Sequence, residues 1–191
     1  GTSITLACIL ILTYLKYFSS TIRIRCLFQL IKLEILKDEI MKKFILNADD
    51  FGMSKAYNRA VLEGYSSGIL KSTSLTANGE AFDEACEKVI PACPDLGIGI
   101  HLNIIEGKSL CSDVDQLIDA QGNFKNSYGE LLLKALAPNN KTFLEQVEKE
   151  FRAQIEKVLA KTNVTHIDSH VHTHSIPPIF EITAKLAKEY G

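Results

Sequence analysis

The sequence predicts an α/β fold built on parallel strands, and three observations carry that reading. Short apolar runs alternate with helix-length amphipathic stretches from Met41 onward. No strong hairpin signal separates the runs, so successive strands are joined by helical crossovers and run parallel. Three polar clusters fall at the C-terminal ends of three of these runs, the face on which parallel α/β folds gather their chemistry. An α/β barrel and an open sheet both fit this pattern.

The elements follow in order. Phe44–Ala48 is a short apolar run ending in acids and reads as a buried strand. Ser54 caps a helix through Ala60, Val61 and Leu62 that stops at Gly68. Ile69–Thr76 reads as a second strand, and Ala81–Ile90 as a helix closed by Pro91 and Pro94. Leu96–Leu102 is a third strand, followed by an irregular stretch over 103–126 with turn signals at Gly107 and Gln121-Gly122-Asn123. Ser127 and Glu130 form a capping-box pattern ahead of a helix through Leu133, and Thr142 and Glu145 form another. The second opens a long helix with Phe143, Val147, Phe151, Ile155, Val158 and Leu159 on one face. Val164–Asp168 is a fourth strand, and Pro177-Pro178 precede a helix over Ile179–Tyr190.

Composition bounds the function. At 191 residues, 46% hydrophobic and 23% charged, the chain reads as one globular domain, or a large fragment of one, rather than a disordered or disulfide-dense chain. A net charge of −2 argues against nucleic acid or an anionic membrane as partner and points to a small or neutral molecule. Cys8, Cys26, Cys86, Cys93 and Cys111 are odd in number and form no C-x-x-C. They read as neither a zinc site nor a disulfide framework, which favours a reducing, cytoplasmic setting.

Residues 1–40 differ from 41–191. Ile and Leu fill sixteen of the forty positions, and the segment carries +2 while the remainder carries −4. Its first apolar run, Ile4–Leu15, is too short to span a bilayer and lacks the flanks of a secretory signal. Ile22–Leu36 alternatively suits an amphipathic membrane-surface segment. The preferred reading is an extension outside the natural protein: Met41-Lys42-Lys43-Phe44-Ile45-Leu46 resembles a protein start entering a strand, and the upstream bias is what AT-rich DNA gives when translated ahead of its start codon. At the other end Gly191 follows directly on a helix, so the chain is expected to stop partway through its fold.

The chemistry-bearing clusters are Asn47-Ala48-Asp49-Asp50-Phe51-Gly52, His101-Leu102-Asn103, and the run from His166 to His174, which holds four of the five histidines. Singly, the first can be turn chemistry, His101 a core histidine and the third a surface His-rich tract. Together they offer imidazole nitrogen and carboxylate oxygen, a ligand set for a catalytic divalent metal. Two histidines and one aspartate leave room for water, and a second, adjacent aspartate is placed to act as general base. If β-structure continued past Asp168, His170, His172 and His174 would share one side, and spacing alone does not rank them.

These motifs resemble the YdjC-like carbohydrate deacetylases: N-A-D-D-F-G-x-S at 47–54, Ser72-Thr73-Ser74, Asn78-Gly79, G-I-H-L-N at 99–103, E-G-K-S-L at 106–110 and T-H-I-D-S-H-x-H-x-H at 165–174. The resemblance runs from Met41 to Gly191. It implies a distorted (β/α) barrel and hydrolytic removal of acetyl from an N-acetylated sugar of the chitooligosaccharide type, with one divalent metal ion, Mg2+ or Zn2+. By motif position it implies Asp50, His101 and His170 as metal ligands and Asp49 as base, with Asp168, His172, His174 and Asn103 in substrate-binding or supporting places. It also implies a homodimer, and a general acid and final strands supplied beyond residue 191. Competing readings are a metal-dependent phosphoesterase or amidohydrolase, disfavoured because the first strand ends in Asp-Asp rather than H-x-H, and a non-catalytic carbohydrate-binding relative.

Overall fold

The structure is a computed structural model that describes residues 44–191; the expected extension over residues 1–40 and the start at Met41 lie outside the described residues. The element order is β1 (Asn47–Phe51), α1 (Lys55–Ser66), β2 (Ser72–Leu75), α2 (Phe82–Glu84), a π-helical turn (Ala85–Val89), α3 (Ile90–Ala92), β3 (Gly97–Leu102), α4 (Tyr128–Leu136), α5 (Lys141–Leu159), β4 (His166–Ser169), a 3-10 turn (His170–Ser175) and α6 (Pro177–Tyr190). All strand pairs are parallel, in the order β1-β2-β3-β4. Among the described residues the sheet is open, with β1 and β4 at its edges. None of the described helices is long and apolar enough to cross a membrane.

The two faces of the sheet have opposite character because side chains alternate along each strand. Ile98, Ile100 and Leu102 of β3 are buried in one core with Phe143, Val147, Phe151, Ile155 and Val158 of α5. At these positions α5 buries the stripe that its 3.6-residue periodicity predicts. The other face carries Asn47, Ser72, Ser74, Gly99, His101, His166 and Asp168, held by hydrogen bonds instead of apolar contact. Register pairs Gly99 with His166 and His101 with Asp168. Gly99 lacks a side chain for a steric reason: a Cβ there would lie 2.2 Å from His166 Nε2.

Several boundaries differ from expectation. β1 begins at Asn47 rather than Phe44, because its pairing with Ser72 starts there and Ile45 and Leu46 are exposed ahead of the sheet. The helical segment after β2 runs past Pro91 to Ala92; Pro91 has no N–H to give to the preceding turn, and the helix ends one residue later. The Ser127–Glu130 capping box forms in full, whereas α5 starts at Lys141 after Asn140, without a side-chain cap. Pro177 and Pro178 occupy the first turn of α6 instead of preceding it. Cys86, Cys93 and Cys111 are free, and burial pushes each thiol up, that of Cys111 to about 11.

Ion pairs tie α6 to α5. Lys185 Nζ donates to Glu148 at 2.7 Å, and Arg152 bridges Glu148 and Glu189. The Lys185 hydrogen bond holds the Glu148 carboxyl below its ordinary value of 4.5, against a smaller upward push from burial. A depressed carboxylate contributes stability that is full above the unfolded value and is lost as pH falls through the folded one. Replacing Glu148 with Gln is therefore expected to flatten the acid side of the stability profile, measured as thermal midpoints stepped downward through pH 4.5; an unchanged acid slope would remove Glu148 from that account.

Gly79 supplies a second test. A Cβ there would meet Gly52 O at 2.2 Å, Gly52 C at 2.6 Å and Met53 Cα at 2.8 Å, all backbone. Gly79→Ala is expected to destabilise the fold by about 1–3 kcal/mol in urea unfolding, the cost of overpacking that cannot relax. Gly129→Ala, whose Cβ meets nothing within 4 Å, is expected to leave the midpoint unchanged or raised.

Candidate metal and catalytic site

The site forms where β1, β3 and β4 end. Two consecutive strand residues normally point to opposite faces, so Asp49 and Asp50 should not meet. They do because β1 carries an irregularity: Ala48 pairs with Thr73 and Phe51 with Leu75, three steps on one strand against two on the other. Asp50 absorbs the difference in a left-handed conformation, φ 61°, which aspartate tolerates better than most residues. Carboxylate oxygens of both aspartates thereby come into groups that include His101.

Three donors converge. Asp50 Oδ1 lies 2.9 Å from His170 Nδ1 and 3.3 Å from His101 Nε2. Asp50, His101 and His170 form one group able to hold a metal ion; Asp49, His101 and Asp168 form a second, overlapping one. The sites overlap at His101, which is 2% exposed and so fixed by its surroundings. Its Nδ1 donates to Asp168 Oδ1 at 2.7 Å, which leaves the Nε2 lone pair facing Asp50. A carboxylate on the far nitrogen of a histidine is the usual support for a metal ligand, because it fixes tautomer and ring plane. Nitrogen and oxygen donors in this number suit a divalent cation.

Behind this group lies a polar net. Ser74 Oγ donates to Asp168 Oδ2 at 2.6 Å, and Asn47 Nδ2 donates to Ser74 Oγ at 2.7 Å and to Asp49 Oδ1 at 2.8 Å. Ser72 Oγ donates to Asn47 Oδ1 at 2.6 Å. Burial pushes the Asp168 carboxyl up, but the hydrogen bonds from His101 and Ser74 prevail and hold it below the ordinary range.

The histidine run does not behave as a continuing strand. β4 stops at Ser169, and the 3-10 turn contains left-handed residues Val171 (φ 44°) and His172 (φ 57°). The alternation is thus broken: His170 turns into the group, His172 is exposed, and His174 turns to Ser169 Oγ at 2.6 Å. His166 stays on the sheet face, 3.2 Å from Ser74 Oγ. Asn103 is fully buried, and its side chain is taken up by Asn78 and by the backbone of Ile105 and Glu106. It therefore braces the loop after β3.

Other residues of the site were not singled out from the sequence. Asn47 and Ser74 lay inside recognised motifs without an assigned role. Glu150 and Gln154 of α5 are fully buried polar residues on an apolar stripe, and that mismatch was the available signal. Gln154 pairs with both backbone groups of Asn103, at 2.9 and 2.6 Å, while Glu150 accepts from Ser109 Oγ and from the backbone N–H groups of Leu110 and Cys111.

Comparison with known proteins gives a consistent picture. The sequence model of the YdjC-like protein family matches residues 43–191. A carbohydrate deacetylase of Clostridium beijerinckii is 42% identical over 150 residues, covering 78% of this chain and 58% of that protein. One of Brevibacillus brevis is 40% identical over 149 residues, covering 78% and 56%. A crystal structure from Enterococcus faecalis V583, of a protein named for cellobiose-phosphate cleavage, superposes with a TM-score of 0.65 at 28% identity, over 76% of this chain and 55% of that one. The chain thus spans little more than half the length of the relatives it matches. The motifs at its three strand ends and the family pattern running through all of them lead to one assignment: the chain belongs to the YdjC-like protein family.

Proposed function

We propose that this chain carries the metal-dependent core of a carbohydrate N-deacetylase, a hydrolase that removes acetyl from an N-acetylated sugar of the chitooligosaccharide type. The observation that supports it most is the convergence of Asp50 Oδ1, His101 Nε2 and His170 Nδ1 beside a second carboxylate, Asp49. The naming of its relatives as carbohydrate deacetylases supplies the substrate class.

Asp50, His101 and His170 would hold a divalent cation, Mg2+ or Zn2+. When bound, the cation supplies Lewis acidity for attack of water on the acetamide carbonyl. Asp49 accepts the proton of the attacking water as the new C–O bond forms. Asn47, donating to Asp49 Oδ1, orients that carboxylate while leaving Oδ2 for the proton. Asp168 keeps His101 in the tautomer that presents Nε2. When the C–N bond breaks a separate general acid protonates the departing amine, and the proton taken up by Asp49 balances the one that acid gives; the products are acetate and a free amino sugar. His172, exposed at the turn, would contact the sugar chain. The barrel, the homodimer and a separate general acid belong to this same reading.

The test is acetate release from di-N-acetylchitobiose by the natural protein containing this chain, metal-stripped and then reloaded. Asp49→Asn is expected to lower turnover by about 10²–10⁴-fold, the usual worth of a general base, with metal affinity retained. Release that persists in Asp49→Asn removes it as base, and a reloaded protein that releases no acetate from any N-acetyl sugar leaves a binding role. His101→Ala is expected to weaken metal binding by more than the roughly 10–100-fold that loss of an outer partner costs; calorimetry showing unchanged affinity would take His101 out of the ligand set.

A further inference from the structure

The two histidines that face Asp50 are not equally prepared, and a residue without an assigned role stands beside the less prepared one. His101 has its proton on Nδ1, given to Asp168, and its lone pair on Nε2, toward Asp50. His170 is turned the other way round. Its Nδ1, not its Nε2, faces Asp50, 2.9 Å from Oδ1. To present Nδ1 to a cation, His170 must carry its proton on Nε2. The group facing Nε2 is Glu106, with Oε1 3.7 Å away.

The loop holds Glu106 there by its backbone. Asn103 Nδ2 and Asn78 Nδ2 both donate to the Glu106 carbonyl, at 2.8 and 2.9 Å, and the Glu106 N–H donates to Asn103 Oδ1 at 3.1 Å. Asn103 is in turn clamped by Gln154 from α5. The side chain is 59% exposed and makes no ion pair with a lysine or arginine among the described residues. A carboxylate with a fixed backbone and a free end closes a gap of this size by side-chain rotation or through one water.

We propose that Glu106 is the positioning residue of His170: it accepts the Nε2 proton and so fixes the tautomer that offers Nδ1 to the cation, as Asp168 does for His101 through the opposite nitrogen. The proposal rests on the metal reading given above, and it assigns two carboxylate–histidine pairs, of opposite ring polarity, to one cation site.

The experiment measures zinc affinity of the whole chain by competition with a chelator, together with the imidazole N–H resonances of the zinc-loaded protein at fixed pH. Expected for Glu106→Ala is a loss of affinity of about 10–100-fold, with the thermal midpoint of the metal-free protein unchanged. Glu106→Gln, which keeps an acceptor oxygen but no charge, is expected to fall between. A His170 Nε2–H resonance is expected in the unaltered protein and in Glu106→Gln, and to be broadened by solvent exchange in Glu106→Ala. Equal affinity in Glu106→Ala overturns the proposal. So does equal loss in the Gln and Ala variants, which would mean attraction by charge alone. A matching fall in the metal-free thermal midpoint would make Glu106 a folding residue and also overturns it. If the unaltered chain binds no zinc, magnesium or manganese, the metal reading itself fails, an outcome distinct from failure of Glu106 alone.

Discussion

The arrangement of the site depends on one backbone conformation, the left-handed Asp50. It lets two adjacent acids serve one place. A left-handed non-glycine residue costs about 1–2 kcal/mol, so its surroundings must hold it. They do so by hydrogen bonds on either side. Met53 N–H donates to Asp50 O, and Thr76 N–H donates to Phe51 O at 2.7 Å. Gly52 N–H donates to the buried Asn58 side chain, and Ala81 N–H donates to Gly52 O. The close pass of Gly79 over Gly52 and Met53 completes the clamp. Helix α1 and the loop after β2 are thus the frame that keeps Asp50 bent.

From that bend the rest follows outward. The Asp50 carboxylate meets His101 and His170; His101 leans on Asp168, its cross-strand neighbour; Asp168 leans on Ser74 of β2; Ser74 and Asp49 share Asn47 of β1. Each strand therefore contributes a member to one hydrogen-bonded network across the polar face. Such networks are strong when fully satisfied and costly when one partner is lost. The long helix α5 performs the equivalent task for the loops, with Glu150 and Gln154 set into its apolar stripe.

Much of this was legible in the sequence. Period and turn signals gave the four strands and the helix that packs on them, because α5 and β3 bury their apolar positions as a simple pattern requires. The ordered motifs gave the clusters. Less legible was anything that depended on departure from ideal geometry. The alternation of His170, His172 and His174 pointed to one shared side, and left-handed φ at Val171 and His172 undid it. No periodicity reveals a residue inserted into β1, yet that insertion explains why Asp49 and Asp50 act together. The supporting residues Asn47 and Gln154 reach partners 27 and 51 residues away in the chain, and a linear pattern carries no such information.

The opposite character of the two sheet faces also protects the fold while it forms. A strand that paired one residue out of step would turn every side chain over. For β3 this would drive His101 into the layer against Phe151 and Ile155 and bring Ile100 out beside Asp168. Both exchanges bury an unpaired polar group or strand an apolar one, so the misaligned chain loses on each face at once. The residues that make the chemistry are in this way also the ones that set the alignment of the strands.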